Sequence, residues 1–198
     1  MSANTYLTPE ERAVLESARV GIAGAGGLGS NCAMHLVRAG VRHITVVDFD
    51  VVNESNLNRQ FFFRNQLGKK KVEALKENLL RIDPDADIRA VDAKLDAVSV
   101  KEIFGDCDIV VEAFDVVDAK VMLVSSFASS GKKLVTASGL AGWGRSNDMR
   151  VRKMGNIVAI GDGETAVGAN AAPASPRVGI AAAMQANSVV AMLLEKEL

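Results

Sequence analysis

Apolar positions recur along this chain in two alternating rhythms. Short runs at Arg19 to Ala23, Ile44 to Val47, Ala86 to Val91, Cys107 to Ala113 and Lys133 to Ala137 read as strands. The run from Cys107 is close to unbroken, as expected when both faces of a parallel sheet are covered. Between the strands the apolar residues fall at helical spacing. Leu28, Cys32, Leu36 and Ala39 make one stripe, stopped by Gly40, and Val72, Leu75, Leu79 and Ile82 make another within a helix predicted over Leu67 to Ile82. Shorter helices are predicted from Thr8-Pro9 to about Ala18, over Ala97 to Phe104, and over Ala119 to Ser130. This alternation of strand and helix predicts an α/β fold, Rossmann-like, with a mostly parallel sheet flanked by helices. After Ala137 the rhythm changes. Asp148 to Lys153 and Ile157 to Ile160 read as a small antiparallel extension, Gly161 to Arg177 as irregular, and Val178 to Glu195 as a closing helix. Without repeats or a dividing linker, residues 1–198 are expected to form a single domain.

The first strand runs straight into Gly24-Ala25-Gly26-Gly27-Leu28-Gly29, a G-x-G-x-x-G turn at a strand-to-helix junction, where backbone can approach a phosphate or ribose without an intervening side chain. Asp48 follows Gly29 by 19 residues at the end of the second strand, placed to accept ribose hydroxyls. These features alone suit NAD as well as ATP. A second set goes further: Asn56 and Arg59, in Ser55-Asn56-Leu57-Asn58-Arg59-Gln60, and Lys71, at the end of Gly68-Lys69-Lys70-Lys71. Arg59 offers a forked, permanent cation for phosphate and Lys71 a point charge. A lysine at a helix N-terminus opposes the helix dipole unless an anion compensates. Asp115 follows the strand Ile109 to Ala113, where it can hold Mg²⁺ between phosphate oxygens or cap the next helix.

Charge narrows the partners. Twenty-three basic residues against 24 acidic ones give a formal charge of −1, which offers no single-sign field for nucleic acid or an anionic membrane. Val178 to Leu194 carries Gln185, Asn187 and Ser188 and reads as a buried helix, not a span. Cys32 and Cys107 are far apart, so no zinc site or disulfide framework is expected, and two free thiols fit the cytoplasm. Both read as core residues, His35 and His43 as structural or surface residues, Phe61-Phe62-Phe63 as a loop anchor, and Trp143 as either packed or lining a groove.

In order and spacing, Gly-Ala-Gly-Gly-Leu-Gly-Ser, Val-Val-Asp-Phe-Asp, Ser-Asn-Leu-Asn-Arg-Gln, Gly-Lys-Lys-Lys-Val and Phe-Asp115 resemble the ThiF/MoeB adenylyltransferases, relatives of ubiquitin-activating enzymes. Pro176-Arg177-Val178-Gly179 leading into Met184-Gln185-Ala186-Asn187 resembles that family's closing helix. The likeness spans roughly residues 18–196 and is strongest to the compact ThiF-like proteins associated with thiamine biosynthesis. It implies that ATP-Mg²⁺ activates the C-terminal glycine carboxylate of a small ubiquitin-like sulfur carrier ending in Gly-Gly. The nucleotide would lie over Gly24, Gly26, Gly27 and Gly29, with ribose on Asp48, phosphates on Asn56, Arg59 and Lys71, and magnesium on Asp115. Arg59, Lys71 and Asp115 would be the catalytic set, Gly161 to Arg177 the segment over the carrier's tail, and a homodimer the assembly. No cysteine lies between Ser138 and Leu198, so a covalent sulfur step on that loop is not expected, and Arg12 lies too near the glycine loop to serve a partner subunit. An NAD-dependent oxidoreductase, a silent nucleotide- or carrier-binding module, and transfer to a peptide terminus or RNA base remain the competing readings.

Overall fold

The computed structural model describes residues 6–128, 130–166, 168 and 171–198. Seven strands form one sheet in the order β3-β2-β1-β4-β5-β7-β6. They are β1 (Arg19–Ala23), β2 (His43–Asp48), β3 (Asp87–Asp92), β4 (Ile109–Glu112), β5 (Lys133–Ala137), β6 (Arg150–Met154) and β7 (Ile157–Gly161). All pairings are parallel except β6 with β7. Because β7 pairs in parallel with β5, the C-terminal strand pair extends the main sheet.

Alternate strand residues point to opposite faces, and the core divides accordingly. Val20 and Ile22 of β1 and Val158 and Ile160 of β7 pack with α2 (Gly27–Ala39), α3 (Lys71–Leu80) and α6 (Ser175–Leu193). Val110 of β4 and Leu134 of β5 pack on the other side with α4 (Ser99–Phe104) and α5 (Val117–Phe127). A further helix, α1 (Pro9–Ser17), starts in a capping box: the Thr8 hydroxyl accepts from the Glu11 N–H, and the Glu11 carboxylate accepts from the Thr8 N–H. None of the described helices is long and apolar enough to cross a membrane.

Three elements differ from the sequence pattern, one of them the closing helix, which begins at Ser175 inside the stretch expected to be irregular. The helix predicted from Leu67 begins only at Lys71, because Gly68 takes φ +82° and Val51 pairs with Lys70 in an isolated antiparallel bridge, holding the preceding residues in non-helical backbone. The predicted apolar strand Cys107 to Ala113 forms only over Ile109–Glu112, and its last residue, Glu112, is a fully buried acid. Strand β1 lies between β2 and β4, so the sheet order reverses there. Ligands of open α/β sheets bind at the carboxyl ends of strands at such a switch point, and the glycine turn leaves β1 at this place.

Candidate functional site

The glycine turn divides its labour. Gly24 has φ +104°, and a Cβ there would also stand 2.8 Å from the Ala113 carbonyl oxygen, so the turn requires glycine. A Cβ on Gly29 would overlap the Gly24 carbonyl, so this glycine lets α2 pack against the turn. Above Gly26 the space is open, its nearest neighbour being Gln60 Nε2 at 3.8 Å from an ideal Cβ. The open position lies beside the first turn of α2, whose unpaired N–H groups and dipole favour an anion.

Asp48 is half-buried, and it braces this turn. One oxygen accepts from the Ala25 N–H (2.7 Å) and the other from the Asp50 N–H (2.8 Å). A carboxylate has about four acceptor positions, so two are left for hydroxyls.

The Ser55–Gln60 segment is clamped onto α2. Asn31 Nδ2 donates to the carbonyls of Gly27 (2.7 Å) and Arg59 (2.8 Å), and the Ser30 hydroxyl accepts from the Phe61 N–H while donating to the Gly26 carbonyl. The Arg59 stem therefore lies against Gly27, its Cγ 3.4 Å from an ideal Cβ there. Its guanidinium donates only to the Ser55 carbonyl and Asn58 Oδ1 and has no carboxylate partner among the described residues. Asn56 is buried; its side chain accepts from the Asn53 N–H and its carbonyl from the N–H groups of Arg59 and Gln60.

Lys71 stands at the start of α3 with its side chain 7 % exposed, and its ammonium pairs with Asp50 at 2.7 Å. The anion needed to offset the helix dipole is thus supplied within the chain. Asp50 itself is half exposed, leaving the pair open to solvent on the acid's side. Asp115 is exposed and makes no hydrogen bond or ion pair among the described residues. It follows the segment in which the Ala113 N–H bonds the Ala23 carbonyl and Phe114 approaches Gly24, which brings it to the rim of the same turn. No cluster of three or more His, Cys, Asp or Glu able to hold a metal occurs among the described residues. Magnesium nevertheless fits one free carboxylate beside phosphates, since it keeps water and substrate oxygens as its other ligands.

Three groups outside the sequence-derived set support these positions. Glu112, fully buried, accepts from the Phe114 N–H, from Lys120 Nζ at 2.6 Å and from the Thr136 hydroxyl, so the start of the Asp115 loop is tied to β5 and α5. Gln185 of α6 donates to the Glu112 carbonyl. Arg177 and Asp162 form an ion pair at 2.7 Å, each side chain 2 % exposed. Burial alone would raise the Asp162 carboxyl. The N–H groups of Thr165 and Glu164, the Thr165 hydroxyl and Arg177 outweigh it and hold the pKa at about 2. The pair clasps the two ends of the irregular stretch expected at Gly161 to Arg177, of which residues 167, 169 and 170 lie outside the described ones. An acid ending an apolar strand was the sequence signal for Glu112; nothing local signals that Lys120 and Thr136 meet it.

Cys32 and Cys107 are core residues, and burial pushes their thiols up to about 12 and about 11, with the nearby Asp106 adding to the second. Neither suits a nucleophile. Trp143 is 71 % exposed and is not packed.

Comparison with known proteins agrees with the geometry. A ThiF family profile matches residues 3–198. The chain is 37 % identical over 127 residues to the adenylyltransferase and sulfurtransferase UBA4 of Eremothecium gossypii, covering 64 % of this chain and 29 % of UBA4. It is 38 % identical over 108 residues to the SAMP-activating enzyme E1 of Haloferax volcanii, covering 54 % of this chain and 40 % of that enzyme. The matches thus span less than half the length of these relatives. Among solved structures, the E. coli tRNA N6-threonylcarbamoyladenosine dehydratase TcdA in complex with ATP superposes with a TM-score of 0.87 at 20 % identity, covering 94 % of this chain and 90 % of TcdA. E. coli MccB with AMPCPP and MccA gives 0.74 at 20 % identity, covering 93 % and 58 %.

Proposed function

The chain belongs to the ThiF family, and on that premise we propose that it is an adenylyltransferase acting on the C-terminal glycine carboxylate of a small ubiquitin-like carrier. ATP is the AMP donor and pyrophosphate the leaving group. The observation that carries the reading is Arg59, a cation without a carboxylate partner held across the first turn of α2. A dinucleotide needs the glycine turn and Asp48 but no such group.

A terminal carboxylate is ionised at neutral pH, so its attack on the α-phosphate requires no general base. It requires alignment and neutralisation of the charge on the five-coordinate phosphorus and the departing pyrophosphate. The turn over Gly26 holds the phosphates, Asp48 orients the ribose, and Asn56 fixes the backbone from which Arg59 projects. A cation about 4 Å from a phosphate charge contributes about 4 kcal/mol at an effective dielectric of about 20, before desolvation. Arg59 supplies one such cation. Lys71 would add a second cation, held in place by Asp50, which offsets part of its charge. Asp115 would hold Mg²⁺, which contributes further charge neutralisation when bound.

The relatives support the reaction class more than a particular pathway. UBA4 is named as an adenylyltransferase and sulfurtransferase and the Haloferax protein as a SAMP-activating enzyme, and MccB was solved with AMPCPP and MccA. Thiamine-precursor supply, suggested by the compact ThiF likeness, is one destination for the activated carrier. A homodimer and a cytoplasmic setting complete the proposal. The test is ATP–pyrophosphate exchange with Mg²⁺, with and without a carrier ending in Gly-Gly. Carrier-dependent exchange supports adenylylation and its acceptor together; ATP binding without exchange on any such carrier removes the proposal.

A further inference from the structure

Gln60 is 8 % exposed, yet its side-chain amide has no partner among the described residues. Its Oε1 is buried without a donor, and no acceptor meets its Nε2. The backbone around it is fully engaged. The Arg59 carbonyl accepts from Asn31 Nδ2, the Phe61 N–H donates to the Ser30 hydroxyl, and the N–H and carbonyl of Gln60 itself bond to the Asn56 carbonyl and the Phe62 N–H. Phe62, 5 % exposed, anchors the chain just beyond. The amide is thereby held against α2. A buried amide left unbonded is a net cost to folding, and an apolar side chain of the same length would remove that cost. The stability of the chain does not account for this residue.

Its direction does. Nε2 lies 3.8 Å from the point where a Cβ on Gly26 would stand, and among the described residues no other atom beyond the adjoining peptides comes within 4 Å of that point. The open space adjoins the first turn of α2, a helix of 13 residues whose unpaired N–H groups favour an anion. An anion there requires a donor to face it, and the nitrogen end of the amide is the end that does.

Position along the turn says which part of the nucleotide this anion is. Asp48, assigned above to the ribose, bonds the Ala25 N–H. Gln60 stands over Gly26, and the stem of Arg59 stands over Gly27. Outward from the ribose, the first phosphate falls to Gln60 and the later ones to Arg59.

We propose that Gln60 Nε2 donates to the α-phosphate of the nucleotide, which makes Gln60 a substrate-positioning residue. This deepens the adenylyltransferase reading and rests on it for the identity of the ligand. When the acceptor's carboxylate oxygen bonds to the α-phosphorus, the bridging oxygen leaves with its electron pair on pyrophosphate, and the α-phosphate stays on Gln60. The amide carries no charge, so it holds the retained phosphate without competing with Arg59 for the departing one.

The test is calorimetric titration of the full chain with AMP and with adenosine, which differ only in that phosphate. Gln60→Met keeps the length of the side chain and removes the amide. It is expected to lower AMP affinity about tenfold or more, the loss of one hydrogen bond to a charged group, and to leave adenosine affinity unchanged. Stability in urea should be equal or higher, because an unpaired buried group is gone; a merely structural glutamine would move stability the other way. If the methionine variant does not fold, Gly26→Ala puts a methyl into the same space, meeting only Gln60 Nε2 at 3.8 Å, and should show the same selective loss. AMP affinity retained in the variants, an equal loss for AMP and adenosine, or a wild-type chain that does not prefer AMP to adenosine overturns the proposal. Pyrophosphate exchange separates the two ideas. Selective AMP loss in a chain that exchanges with no carrier discards the adenylyltransferase reading and keeps the phosphate contact. Carrier-dependent exchange with AMP affinity untouched in Gln60→Met discards the contact and keeps the reading.

Discussion

Arg59 is held where it is by its backbone, and this makes it a clean residue to remove. Asn31 grips its carbonyl and Asn56 its N–H, while its guanidinium makes only two local bonds. Arg59→Ala is therefore expected to lower carrier-dependent pyrophosphate exchange by about 10²–10³, the loss of about 3–4 kcal/mol of transition-state charge stabilisation, with an unchanged melting temperature. Full activity in a folded Arg59→Ala protein would remove this residue from the chemistry. Asp162 is the opposite kind of residue. Its pKa is depressed from 3.8 to about 2, so its stabilising effect is fully present above about pH 4 and disappears as pH falls through about 2. The shift corresponds to about 2 kcal/mol. Asp162→Asn should flatten the acid limb of stability between those pH values in urea titrations. At neutral pH it should cost more than that, because Arg177 is left buried with an uncompensated charge. An unaltered acid limb would mean that Asp162 titrates alike in the folded and unfolded chain.

At the scale of elements, the periodic stripes were readable and the interruptions were not. The residues of α2 announced themselves by spacing, and Gly40 ended α2 in the left-handed conformation its sequence position suggested, whereas α6 was legible from its apolar run and starts three residues before the expected Val178. The helix predicted from Leu67 starts four residues later because the bridge between Val51 and Lys70 and the turn at Gly68 depend on a loop sixteen or more residues earlier in the chain. Where the glycine turn, Asp48, Arg59 and Asp115 sit in the fold could be read because local spacing fixes each position. The Lys71–Asp50 pair and the Glu112, Lys120 and Thr136 network could not, since only the folded sheet brings those side chains together. That network makes its own prediction. Lys120→Met strips the cation from a carboxylate with no solvent exposure and should destabilise by about 3–5 kcal/mol, a cost that Glu112→Gln in the same chain should partly relieve. Equal destabilisation in the single and double variants, measured by urea unfolding, would show that the charge pair is not the source of the loss.

At the scale of the whole molecule, the switch point between β1 and β4 joins α2, α6 and the Asp115 loop around one cradle. A ligand seated there touches segments from both halves of the sheet, so it should stabilise the whole fold and not one edge of it. Anything bound only by the folded state adds about 2.7 kcal/mol at about a hundred times its Kd, which for a chain of this size is about 5–10 °C in melting temperature. Mg²⁺-ATP is expected to give that shift and NAD at equal concentration a smaller one, because Asp48 can hold either ribose while the carboxylate-free cation beside Gly27 favours the longer, more highly charged phosphate chain of ATP. Arg59→Ala should reduce the ATP shift, and Asp115→Asn should make it independent of Mg²⁺. A shift with NAD and none with ATP would assign the cradle to a dinucleotide and leave Arg59 with no phosphate chain to neutralise. That outcome would return the chain to the oxidoreductase reading that the glycine turn and Asp48 permit on their own.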